Sequence, residues 1–189
     1  EAGSDSGASE ATSASASGTA TAGSASATDT TTAATGTDTT AGDEDLVMEA
    51  EDFTCITSMT PVRSYYVANP LGRLDETLAV ANSADGGRFP VGTVLQLVPT
   101  EAMVKRRAGF DPSTNDWEFF SLGVTASGTR ILDRGAATVV NAFGGNCLDC
   151  HAKAEPQWDL ICEQTHGCDP LPLTTAQIRQ IQAADPRCP

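Results

Sequence analysis

The sequence predicts an α+β fold, mainly an antiparallel β-sheet with a few short helices, and three observations lead to it. Short runs rich in β-branched and aromatic residues recur at hairpin spacing through the middle of the chain. Turn signals separate them: Asp85-Gly86-Gly87, the polar residues 111–116, and Ser127-Gly128. Helical patterns are confined to the last third.

Taken in order, residues 61–68 read as a strand carrying Val62, Tyr65, Tyr66 and Val67, and residues 77–81 as a shorter strand candidate. Residues 93–98 are the clearest strand, ended by Pro99 and Thr100. The chain resumes over residues 101–106 with an alternation that puts Glu101, Met103 and Lys105 on one face and Ala102 and Val104 on the other. Residues 117–122 and 129–132 complete the hairpins. Residues 136–143 and the segment after Asn146 read as short helices flanking Gly144-Gly145, and residues 174–183 as a helix capped by Thr174 with an Ile178/Ile181 face.

The chain divides at residue 45. Residues 1–45 contain only Glu, Ala, Gly, Ser, Asp and Thr, so no large apolar side chain offsets the entropy of ordering them, and a disordered tether is expected. Residues 46–189 form the folded domain. The net charge is -14, of which eight acids fall in the tether, leaving 17 acids against 11 bases, or -6, for the domain. With no stripe of Lys and Arg to neutralise phosphates, nucleic acid is not an expected partner. No apolar run is long enough to span a bilayer. A membrane is reached only through an N-terminal lipid anchor, which a Ser/Thr/Ala/Gly leader would connect to the domain. The rival reading is a plain secreted protein with a flexible leader.

Cys147-Leu148-Asp149-Cys150-His151 is a Cys-x-x-Cys-His pattern. Two thiols on one helical turn reach the two vinyl groups of a single haem, and the adjacent imidazole comes under the iron. The expected cofactor is therefore one covalently attached haem c, held by Cys147 and Cys150 with His151 as the iron ligand. A thioredoxin-type dithiol is the alternative, but that motif belongs in a parallel βαβ unit rather than late in a run of hairpins. Cys55, Cys162, Cys168 and Cys188 remain, an even number that fits two disulfides in an oxidising, periplasmic or extracellular compartment. Their pairing stays open, but at least one bridge must staple the C-terminal segment.

The sixth iron position separates electron transfer from small-molecule chemistry. His166, in a turn-rich stretch, reads as a surface histidine. Met103 shares a face with Glu101 but reads first as a packing residue. An open or water-occupied site is preferred over a six-coordinate electron-transfer cytochrome using Met103 or His166. A disulfide-stapled binding module without haem is a third reading.

Four stretches resemble the cytochrome P-460 family, which includes the β-type cytochromes c′: residues 62–67, residues 89–94, residues 101–105 with Asp116-Trp117 behind them, and Cys147 to His151. The resemblance implies a β-rich domain around a five-coordinate haem c, often dimeric, with a distal pocket for small nitrogen species such as nitric oxide or hydroxylamine. Arg63 and Glu101 match the pocket-lining Arg and Glu of the hydroxylamine-oxidising members, where they would serve as catalytic residues. Those members crosslink a lysine to the haem, and Leu97 stands in its place, which argues for an uncrosslinked relative. Residues 162–189 have no counterpart in that pattern. The expected partners are a small-molecule ligand, a redox partner protein and a second copy of the chain.

Overall fold

Short β-prone runs separated by Gly, Pro, Asp and Asn turns give a simple meander: β1 (Thr60–Val62), β2 (Tyr65–Ala68), β3 (Val94–Gln96), β4 (Glu101–Lys105), β5 (Trp117–Thr125) and β6 (Gly128–Gly135). Each strand pairs antiparallel with the next, so the sheet order equals the chain order. Among the described residues three α-helices accompany the sheet: α1 (Leu74–Ala81) between β2 and β3, then α2 (Cys147–His151) and α3 (Thr175–Ala183) after it. This is a computed structural model, and it describes residues 44–141, 144–163 and 165–189. All of the expected tether but Glu44 and Asp45 lies outside the described residues. Asp45 itself pairs with Arg106 at 2.8 Å, and the guanidinium beside it holds its carboxyl below the usual range.

Several elements differ from the sequence expectation. The single strand over residues 61–68 is a tight hairpin, turned at Arg63 and Ser64 with Arg63 in the left-handed conformation at φ 50°. Residues 77–81 are not a strand but the second half of α1. Leu74, Leu78 and Ala81 recur at helical spacing against the core, and Asp75 and Glu76 sit in the first turn, where the helix dipole favours acids. Residues 136–141 are not helical; Val140 bridges to Asn146 instead, and Phe143 lies outside the described residues. Thr174 does cap α3, in a reciprocal capping box with Gln177.

The pleat sorts the core into two faces. Ala102, Val104, Phe120 and Leu122 point to one side and are sealed by Met48 and Phe53 from the start of the domain. Leu95, Met103 and Phe119, which are lateral neighbours on β3, β4 and β5, point to the other side. They pack there with α1 residues and with Cys147, Leu148, Leu160 and Ile161. The alternation read on β4 therefore holds, and its Met103 face is the one that meets α2.

The C-terminus is latched to the domain start. Cys55 and Cys188 form one disulfide and Cys162 and Cys168 the other, so both bridges involve the C-terminal segment. Asp185 accepts the Ile56 amide at 2.9 Å and binds Arg187, whose guanidinium also donates to the carbonyls of Phe53 and Pro99. Burial alone would raise the Asp185 carboxyl, but the hydrogen bonds from Arg187 and Ile56 outweigh it and hold it below the ordinary value. A depressed carboxylate stabilises the fold above its unfolded pKa, near 3.9, and loses that contribution as pH falls through the lower folded value. Asp185→Asn is expected to lower stability at neutral pH by about 2 kcal/mol and to flatten the acid limb. Denaturant midpoints measured from pH 7 down to about 2 check both effects, and an acid limb as steep as the parent's would refute the assignment.

Candidate functional site

α2 is a short helix held at both ends. Asn146 caps it by accepting the Asp149 amide at 3.1 Å and donates to the Ala137 carbonyl at 2.8 Å, while the Cys147 amide donates to Val139 at 3.0 Å. Cys147 is buried against the apolar sheet face and Cys150 is half-buried. Both are free thiols in a chain whose other four cysteines are paired. Burial, with the nearby carboxylates of Glu101 and Asp133, pushes the Cys147 thiol up to about 11. The redox-active dithiol alternative needs the opposite, a cysteine with a depressed pKa.

His151 ends α2 with its ring against Phe119, centroids 5.4 Å apart. Its Nδ1 lies 2.7 Å from the Leu160 carbonyl oxygen. A carbonyl only accepts, so Nδ1 carries the proton and the neutral ring presents its lone pair at Nε2, which has no hydrogen-bond partner among the described residues. Burial holds the ring below the ordinary histidine pKa, with the Leu160 hydrogen bond opposing, so it is neutral at pH 7.

The Leu160 carbonyl is placed by an unusual turn in which Asp159 and Leu160 are both left-handed, at φ 49° and 66°. Asp159 is held at two atoms: its Oδ2 accepts from Lys105 Nζ at 2.7 Å and from the Phe89 amide at 2.9 Å, and its carbonyl accepts from Trp117 Nε1 at 2.8 Å. Lys105 is buried under the Trp117 ring, and burial pulls its ammonium below the ordinary lysine value despite the Asp159 charge.

His166 is a correction: it is buried, not on the surface. Its ring stacks flat on Trp158, 3.8 Å away, and its Nδ1 donates to the Ile161 carbonyl at 2.7 Å. The two histidines thus hydrogen-bond to the carbonyls of successive residues, Leu160 and Ile161. The Cys162–Cys168 bridge closes this segment, with Cys162 Sγ 3.3 Å from the Cys150 carbonyl oxygen at the end of α2.

Compared with family models, curated proteins and solved structures, the chain matches none. The reading of the site therefore rests on its own geometry.

The structure brings together most of the residues singled out by sequence. Glu101 is close enough to Cys147 to act on its thiol, and Met103 and Leu97 belong to the same apolar cluster as Cys147. The Leu97 carbonyl is held by Gln182 of α3 at 2.7 Å. Arg63 is engaged elsewhere. Its guanidinium forms a two-pronged pair with Glu163, donates to the Ala81 carbonyl at 2.8 Å and contacts the Tyr65 hydroxyl at 3.1 Å. The pocket-lining role expected of Arg63 is set against an ion pair with Glu163. Asp159 and the Leu160 carbonyl were invisible in the sequence, because no motif announces the acceptor that a histidine will find.

Among the described residues no group of three or more His, Cys, Asp or Glu is arranged to hold a bare metal ion. A porphyrin brings its own ring of nitrogens and asks the protein for two thiols and one imidazole, and that is the donor set α2 offers.

Proposed function

We propose that the chain is a c-type haem protein of the cell envelope, related to the cytochrome P-460 family, that binds or redox-converts a small nitrogen ligand such as nitric oxide or hydroxylamine. One observation carries the reading. Cys147 and Cys150 stay outside the disulfide set on the same short helix as an imidazole whose Nδ1 is committed and whose Nε2 lone pair is presented. Cys147 and Cys150 would form the thioethers and His151 would supply the axial nitrogen. The group so held would offer a redox-active iron with a coordination site for the ligand. Two disulfides fit an oxidising compartment, periplasmic or extracellular.

The chain's own residues have separate tasks in this reading. The Leu160 carbonyl fixes the His151 tautomer and increases the ring's donor strength. Leu95, Met103 and Phe119 form a dry wall that strengthens electrostatics beside them. Glu101 is the carboxylate on that face and takes protons from a polar ligand as it is oxidised. Arg63 orders the segment after α2 through Glu163. His166, buried and stacked flat on Trp158 with Nδ1 committed to the Ile161 carbonyl, is already engaged within its own segment, which favours an open sixth position over a bis-histidine site.

The test is an optical and EPR spectrum of the full chain matured with a periplasmic haem-attachment system. A high-spin spectrum that changes on adding nitric oxide is expected; a bare polypeptide overturns the cofactor, and a low-spin spectrum indifferent to nitric oxide overturns the open site. In the same preparation Glu101→Gln is expected to leave attachment intact and to lower hydroxylamine or peroxide turnover on the order of 100-fold. Unchanged turnover removes its role as a base.

A further inference from the structure

We propose that the buried Lys105–Asp159 pair is a positioning device for His151, locking the left-handed Asp159–Leu160 turn so that the Leu160 carbonyl takes the Nδ1 proton. The proposal deepens the haem reading of α2 and rests on it for its functional meaning.

The chain of contacts is continuous. Lys105, on β4, reaches Asp159 at 2.7 Å and the Asn115 carbonyl at 2.7 Å, with side chains only 5 % and 1 % exposed. The same Asp159 oxygen holds the Phe89 amide, and Trp117 on β5 holds the Asp159 carbonyl. Three separate segments thus fix one residue, and the next residue along bears the carbonyl that faces His151. Left-handed backbone is mild for Asp but opposed for Leu by its Cβ, so Leu160 does not adopt it for local reasons. Something outside the turn must impose it, and Asp159 is the side chain through which the sheet does so.

Stability is a poor explanation for the pair. Taking an ammonium and a carboxylate out of water is offset only in part by their attraction, and an apolar pair of similar volume commonly serves as well. Among the described residues the remaining Asp159 oxygen has no hydrogen-bond partner, which a device built only for stability would satisfy. What the pair does supply is direction: a rigid sheet sets the carbonyl, the carbonyl selects the tautomer, and the tautomer decides which nitrogen is free to bind. Lys105 and Asp159 are positioning residues, since neither touches the ring.

The experiment uses the full chain and two variants, Asp159→Asn and the double variant Lys105→Met/Asp159→Asn. The double variant removes both charges at once and so leaves neither stranded. Long-range proton–nitrogen correlation on the haem-free chain reads the His151 tautomer directly. The parent is expected to be Nδ1-protonated, and both variants are expected to show a mixture with the Nε2-protonated form. On the haem-loaded chain the variants are expected to lower the iron–imidazole stretching frequency and shift the midpoint potential to more positive values, because a weaker hydrogen bond makes a poorer donor. Asp185→Asn, a buried carboxylate in the C-terminal latch, is the control that destabilises without moving either reading. Folded variants with the parent's tautomer would overturn the proposal. A parent that never takes up haem would overturn the haem reading alone, since the tautomer measurement still decides whether the pair positions the ring.

Discussion

Replacing both Cys147 and Cys150 with serine is expected to give an exported chain of bare polypeptide mass, with no haem retained after acidic organic extraction. The single variants should each keep the group through one bond. This is the largest effect the site predicts, because it is all or none for covalent retention, while the fold should survive. Cys147 is one of many side chains on the apolar face and Cys150 is only half-buried. A serine hydroxyl buried at position 147 costs about 1–3 kcal/mol, which a stapled domain tolerates. The outcome also separates the rival readings. A dithiol enzyme would lose its redox chemistry in either single variant, and a binding module without haem would be indifferent to all three. Covalent haem in the double variant would sink the thioether assignment, and the intact mass spectrum settles the matter in one measurement.

Opening the Cys55–Cys188 bridge, by replacing both cysteines with serine, is expected to produce the largest loss of stability available from any pair of substitutions outside the core. The bridge spans a sequence separation of 133 residues. The entropy that such a link removes from the unfolded chain is worth about 4–5 kcal/mol, which for a domain of this size lowers the unfolding temperature by roughly 10–20 °C. The remaining latch contacts, Asp185 with Ile56 and Arg187 with Phe53, would still hold the C-terminus in the folded state. The expectation is therefore a native-like but labile domain, seen as an earlier thermal transition with unchanged far-ultraviolet dichroism. By contrast, opening Cys162–Cys168, with a separation of 6 residues, should cost less globally and act chiefly on the segment carrying His166. If the two bridges proved equal in effect, the closed-loop account of the first would fail.

The strands were legible because their signals are local. Residues 93–98 and 117–122 carry β-prone side chains between breakers, and the alternation at Glu101, Met103 and Lys105 reports which side of the sheet each faces. The short helix over Cys147–His151 was legible because Asn146 supplies a cap before it. What failed was short and ambiguous. Residues 77–81 look strand-like alone, and only the addition of Leu74 exposes the helical period of α1. Residues 136–141 have helix-compatible composition, yet tertiary pairing of Val140 with Asn146 overrides it. His166 looked exposed because turns usually are, and the Trp158 ring that covers it is a partner no local rule supplies. Arg63 was placed beside a distal pocket by analogy of position, whereas its ion-pair partner Glu163 lies 100 residues on, beyond the reach of any pattern.

Hanging His151 and His166 from the neighbouring oxygens of Leu160 and Ile161 ties the fates of the two rings together. Turning one amide plane must be compensated by the next, so neither imidazole can be re-aimed alone. Deleting a single residue there would take away one of the two oxygens and leave one imidazole without its acceptor, and a change made to the His151 side of this loop should be felt at the Trp158–His166 stack.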